Sequence, residues 1–137
     1  MAGRSNKAEE MSENRSWLSI HSLLGSDATA PVALIGLPMG RDSISPGRCD
    51  LAPDVIRTTL KRMSVYDLET QTDLSRLTIF DGGNADIAEL GYAAALEPAA
   101  HAVRAQAGRR ALTILLGGDN AITRPGVHGL DPTLKNV

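Results

Sequence analysis

The chain has 137 residues with a formal net charge of −2, long enough for one small domain with its own core, and the lack of a strongly basic stretch argues against nucleic acid as the main partner. Apolar residues make up 42% but only Trp17, Tyr66, Phe80 and Tyr92 are aromatic, so the core must be built mainly from Leu, Ile, Val and Ala. No apolar run approaches a membrane span, the first residues lack the apolar centre of a signal peptide, and Cys49 is the only cysteine, which excludes an internal disulfide; together these place the expected site of action in the cytoplasm, with no membrane partner.

Residues 1–30 read as an N-terminal arm, expected to be mobile. Met1 to Arg15 are mixed polar residues that bury little. Trp17, Leu18, Ile20, Leu23 and Leu24 then form an apolar cluster before Gly25. It reads as a short helix or extended piece packing on the domain, or else as an oligomer contact. Ser26 to Ala30 reads as linker.

The domain proper is expected over residues 31–137. Pro31 to Leu37 is apolar on both faces, as in a strand covered from both sides. A long loop follows from Pro38 to about Ala52, holding Arg41, Asp42, Ser43, Ser45 and Arg48 among its prolines and glycines; loops of that length in compact domains are usually functional or mobile. Pro53 suits a first helical turn, and Val55, Ile56, Thr59, Leu60 and Met63 recur at helical spacing, predicting a helix from Pro53 to about Met63. Ser64 to Ser75 is polar and poorly patterned. Leu77 to Phe80 reads as a second strand, ending in Asp81-Gly82-Gly83-Asn84. Ala85 to Ala95 is ambiguous. Pro98 is expected to start an alanine-rich helix running to about Arg109, with Gly108 as its breaker. Leu112 to Leu116 reads as a third buried strand, followed by a helix after Asn120. Strand and helix alternate, which implies right-handed crossovers and a parallel sheet.

The third strand ends in Gly117 and Gly118, which let the backbone turn and let other atoms approach closely. Asp119 and Asn120 are then presented at its carboxyl end, where open α/β sheets bind ligands. A plain N-cap role for either residue is an equally good reading of the local chemistry.

Gly117-Gly118-Asp119-Asn120-Ala121-Ile122-Thr123 resembles the Gly-Gly-Asp-His-Ser-Ile-Thr motif of the ureohydrolases, the arginases and agmatinases. The resemblance runs from about Pro31 onward. It takes in the strand Ala33 to Pro38, the Pro46-Gly47 step, Ala52-Pro53-Asp54-Val55-Ile56-Arg57 as a helix start, and Asp81-Gly82-Gly83-Asn84 in part. The stretch Ile122 to Asp131 is most similar to the agmatinase branch. The resemblance implies a three-layer α/β/α sandwich of about twice this length, of which this chain holds the first three strand-helix units. It also implies a pair of manganese ions, whose bridging water becomes hydroxide and attacks a guanidino or amidine carbon to release urea. Asn120 stands where the family has a histidine ligand. Asp119, Gly117 and Gly118 would shape the corner behind it, and His128 would line the cleft. The family's Asp-x-His-x-Asp motif does not occur, and His21, His101 and His128 have no partner at ligand spacing. No catalytic residue is therefore assigned, and the chain by itself is expected not to catalyse the reaction.

Further expectations follow from that resemblance. In the family sheet the first strand lies between the second and the third, which leaves Leu112 to Leu116 as an open apolar edge and predicts an oligomer or a complementing chain. A guanidino small molecule would be the ligand of the complete enzyme. A non-catalytic partner chain or a decayed relative fits the same residues. A nucleotide-binding α/β module is the other rival, with Gly36, Gly40 and Gly47 after one strand and Asp81 ending the next, although the spacing departs from Gly-x-Gly-x-x-Gly. Cys49, beside Arg48 but with no histidine near it in sequence, reads as structural.

Overall fold

A computed structural model describes residues 17–44 and 47–135. Four parallel strands form the main sheet: β1 (Leu24–Gly25), β2 (Val32–Gly36), β5 (Ile79–Asn84) and β6 (Leu112–Leu116), in the order β1-β5-β2-β6. A small antiparallel hairpin, β3 (Tyr66–Asp67) and β4 (Thr72–Asp73), occupies the stretch whose sequence lacked a pattern. The helices are α1 (Ala52–Leu60), α2 (Tyr92–Arg104) and α3 (Thr123–Leu130).

All five residues of β2 are buried, as its unbroken apolar sequence requires of a strand covered on both faces. On one face Leu34, Val32, Ile79 and Leu116 pack with Leu23, Val65 and the Ile56 and Leu60 side of α1. On the other, Ile35, Leu37, Met39 and Ile87 pack with Ala95, Ala99 and Val103 of α2 and with Leu115 and Ile122. The three layers of an α/β/α sandwich are thus present, with a parallel sheet and with β2 between β5 and β6, as expected.

The helices that follow β2 and β6 lie on opposite faces of the sheet. Neighbouring strands that send their chains to opposite faces leave a crevice between their carboxyl ends, the usual ligand position in such sheets. Here that crevice lies between the loop after Leu37 and the Gly117–Asn120 corner.

Several boundaries differ from the sequence reading. The arm expected over residues 1–30 is described only from Trp17; from Ser19 the chain belongs to the fold, with a 3-10 turn at Ile20–Leu23, β1 paired to β5, and Leu23 and Ala30 buried. The second strand begins at Ile79 and runs through Asn84, so Asp81-Gly82-Gly83-Asn84 lies inside the strand rather than beyond it, with a register shift opposite Leu34 and Gly36. Helix α2 starts at Tyr92 and ends at Arg104, so Pro98 sits inside it, not at its start. Its ring costs the helix one hydrogen bond, but an outside group caps the first turn: Asp42 accepts the Tyr92 backbone N–H at 2.8 Å.

Candidate functional site at the carboxyl end of the sheet

The corner begins where β6 ends. The Leu116 carbonyl still accepts the Leu37 N–H at 2.8 Å; after it the chain turns away over Gly117 and Gly118. Neither glycine has positive φ. Their need is close approach: a Cβ on Gly118 would stand 2.5 Å from the Cys49 carbonyl oxygen and 2.8 Å from Ala52 Cβ. The corner is therefore pressed against the end of the long loop, and only a residue without a side chain fits there.

Asp119 has extended backbone and caps the 3-10 turn Asn120–Ile122, its Oδ1 accepting the Ala121 N–H at 2.8 Å. The N-cap reading of Asp119 is thus correct, but incomplete. Its Oδ2 accepts the Tyr92 hydroxyl at 2.7 Å. The Ala121 N–H, then the Tyr92 and Ser43 hydroxyls, hold this carboxyl below the usual carboxylate range. The same carboxylate pushes the Tyr92 phenol up, because ionising it would place two negative charges in contact.

Tyr92 also touches the long loop, through the Asp42 cap on its own N–H. Gly91 permits that approach, since a Cβ there would lie 2.8 Å from the Asp42 carboxylate. One residue earlier in the loop, the Arg41 guanidinium donates to the Glu89 carbonyl. In the sequence Tyr92 had no assigned part, and Arg41, Asp42 and Ser43 were named only as members of a long loop read as functional or mobile. Tyr92 lay in its ambiguous stretch, and Asp42 is 50 residues away in sequence; only the topology brings them together.

A second polar cluster sits at the end of β5. Arg57 of α1 donates to both Asp81 oxygens, at 2.9 Å from Nε to Oδ2 and 2.9 Å from Nη2 to Oδ1, and to the Gly83 carbonyl at 2.9 Å and Asn84 Oδ1 at 2.6 Å. Asn84 in turn donates to Asp54 at 2.9 Å. Burial pushes the Asp81 carboxyl up, but the Arg57 and Gly83 hydrogen bonds outweigh it and hold the group below its ordinary value. This cluster is satisfied within itself and reads as a brace between α1 and β5.

Asn120, at the family's histidine position, is exposed at the rim of the crevice. His128 lies on α3, partly buried, with a buried Nδ1 that has no hydrogen-bond partner. His101 is exposed on α2. Cys49 is a free, partly buried thiol 3.8 Å from the Ser43 hydroxyl.

The residues present do not fit a complete manganese pair. Among the described residues no three His, Cys, Asp or Glu side chains converge. The acidic groups nearest the crevice are already engaged, Asp119 by Tyr92 and Ala121 and Asp81 by Arg57. Asn120 offers one neutral amide oxygen, too little to hold two divalent cations.

Comparison with known proteins agrees with this geometry. The family model described as "Arginase family" matches residues 30–137. Among curated proteins, the formimidoylglutamase of Bacillus subtilis (strain 168) is 29% identical over 111 residues, which is 80% of this chain and 34% of that protein. The formimidoylglutamase of Halalkalibacterium halodurans is 33% identical over 99 residues, 69% of this chain and 30% of that protein. The crystal structure of the B. subtilis enzyme superposes with a TM-score of 0.75 at 25% identity, over 88% of this chain and 40% of that one. A structure of Trypanosoma cruzi formiminoglutamase with two manganese ions gives 0.68 at 26% identity, over 84% and 42%.

A parallel α/β/α sheet with a Gly-Gly-Asp corner at its switch point defines an arginase-like fold. The chain belongs to the arginase family. It spans about a third of the length of the curated relatives it matches. Both relatives are formimidoylglutamases, so the likeness of Ile122–Asp131 to agmatinases in particular is not supported by them. Among the described residues no helix is long and apolar enough to cross a membrane.

Proposed function

We propose that this chain supplies the first part of a manganese-dependent hydrolase that cleaves a C–N bond at an amidine carbon, and that it is not catalytic alone. The observation that carries the reading is the Gly117–Asn120 corner, standing at the carboxyl end of β6 in a chain whose residues 30–137 match the arginase family. A guanidino group and a formimidoyl group share an amidine carbon, so the names of the relatives and the agmatinase-like stretch agree on that carbon and differ on what is attached to it. Of the two, a formimidoyl substrate is the better supported, by two curated relatives. Cytoplasmic action and a complementing chain or further segment belong to the same reading.

A second reading has its own support. Asn120 in place of histidine, with no three His, Cys, Asp or Glu side chains converging among the described residues, suits a non-catalytic partner of an active family member.

The test is hydrolysis of N-formimidoylglutamate, agmatine and arginine. The chain is assayed alone and then co-expressed with the part of the B. subtilis formimidoylglutamase that lies outside the matched 111 residues. The hydrolase reading predicts no turnover alone and manganese-dependent turnover in the pair. A stable pair that turns over none of the three favours the non-catalytic reading. Turnover by the chain alone contradicts both.

A further inference from the structure

Three segments far apart in sequence meet at the rim of the crevice, and one residue, Tyr92, ties the loop to the corner. The long loop arrives through Arg41, Asp42 and Ser43, the stretch before α2 through Glu89 and Gly91, and the corner through Asp119. Tyr92 binds the loop with its backbone, donating its N–H to Asp42 at 2.8 Å, and binds the corner with its side chain, donating its hydroxyl to Asp119 at 2.7 Å. Asp119 passes the constraint on, since its other oxygen holds the Ala121 N–H at 2.8 Å on the far side of Asn120. Asn120 thus lies between two residues fixed by one carboxylate, and that carboxylate is fixed by Tyr92.

Both hydrogen bonds of Tyr92 end on a carboxyl oxygen, of Asp42 and of Asp119, and the Asp119 carboxyl is held below its usual range, which makes that bond stronger than a neutral one. Cβ-free Gly91 and Gly118 let the segments close to contact distance on either side. The loop after β2 and the corner after β6 meet in direct contact where Gly118 lies against Cys49, so the hydrogen bonds through Tyr92 fix how the two sit together.

We propose that Tyr92 is a positioning residue: through Asp119 it fixes the orientation of the Gly117–Asn120 corner and locks the Gly40–Ile44 stretch of the long loop to it, so that the two walls of the crevice move as one. A small-molecule ligand that contacts the loop is then felt at Asn120, and the reverse. The meaning of this for catalysis rests on the hydrolase reading above; the coupling itself does not.

The test uses amide hydrogen exchange and nitrogen-15 NMR on the 137-residue chain carrying Tyr92→Phe, which removes the hydroxyl and keeps the ring. Tyr66→Phe, at the exposed tyrosine of β3, is the control. Loss of one hydrogen bond to a charged acceptor is expected to speed exchange about ten-fold at Ala121, and to raise it at Ser43 and at the amide of residue 92. It is also expected to shift the Asn120 side-chain amide resonances, while exchange at Leu34 and Asp81 stays within about two-fold of wild type. In an Asp119→Asn background, Tyr92→Phe is expected to add less than it does in the wild-type background, because the two residues share one bond. Unchanged exchange at Ala121, a uniform rise across the sheet, or fully additive effects of the two substitutions would each overturn the proposal. Neither turnover nor metal loading enters this test, so its failure is separate from failure of the hydrolase reading.

Discussion

Arg57 ties α1 to the carboxyl end of β5 through one guanidinium that meets Asp81, Gly83 and Asn84 at once. Its side chain is 14% exposed and that of Asp81 is 23% exposed, so removing either partner leaves the other poorly hydrated and uncompensated. Arg57→Ala is expected to cost about 2–4 kcal/mol in urea unfolding. Arg57→Lys is expected to recover only part of it, because a point charge cannot reproduce the planar fork. The pH dependence has a definite sign. The folded-state pKa of Asp81 is depressed, so its contribution is complete at neutral pH. It is lost as pH falls below the unfolded carboxylate value of about 3.9 and through the lower folded value. In Asp81→Asn that part of the acid dependence should vanish from the urea midpoints. At the corner, Gly118→Ala is expected to cost about 1–3 kcal/mol, because its methyl would meet backbone at Cys49 rather than a side chain that can swing away.

At the scale of the elements, β6 is the open feature. Among the described residues it pairs with β2 alone, and its residues Leu112 and Leu116 place their backbone groups toward that neighbour. By alternation the N–H and C=O of Thr113 and Leu115 point to the free side, while Leu112 and Ile114 are 53% and 36% exposed. A free edge beside apolar side chains recruits another strand. Concentration-dependent association is therefore expected in sedimentation velocity. Thr113→Pro, which removes an outward N–H without touching the β2 ladder, should reduce it. A chain that stays monomeric at all concentrations would contradict this. Much of the element order was legible because β2 and β6 are long apolar runs and α1 has a clean helical period. Strand β1 was not, since two residues carry no periodicity. The start of α2 was missed because Pro98 resembles a helix opening, while the cap that allows the earlier start comes from Asp42 in another segment. The corner residues Gly117 to Asn120 were legible as a motif; the Tyr92 network behind them was not, because its partners lie 27 and 50 residues away.

At the scale of the whole molecule, the chain combines a complete arginase-like sheet start with an incomplete ligand set. The fold places the corner at the switch point between β2 and β6, and among the described residues no three His, Cys, Asp or Glu side chains converge there. The chain spans about a third of the length of its curated relatives, and in the function proposed above it contributes one wall of the site. The most direct test is manganese bound per chain, by elemental analysis of the purified 137-residue protein after dialysis against manganese and then buffer. The account predicts a ratio near zero. One or two ions retained per chain would contradict it, because Asp81, Asp119 or His128 would then have to leave the partners and positions described here and form a metal centre.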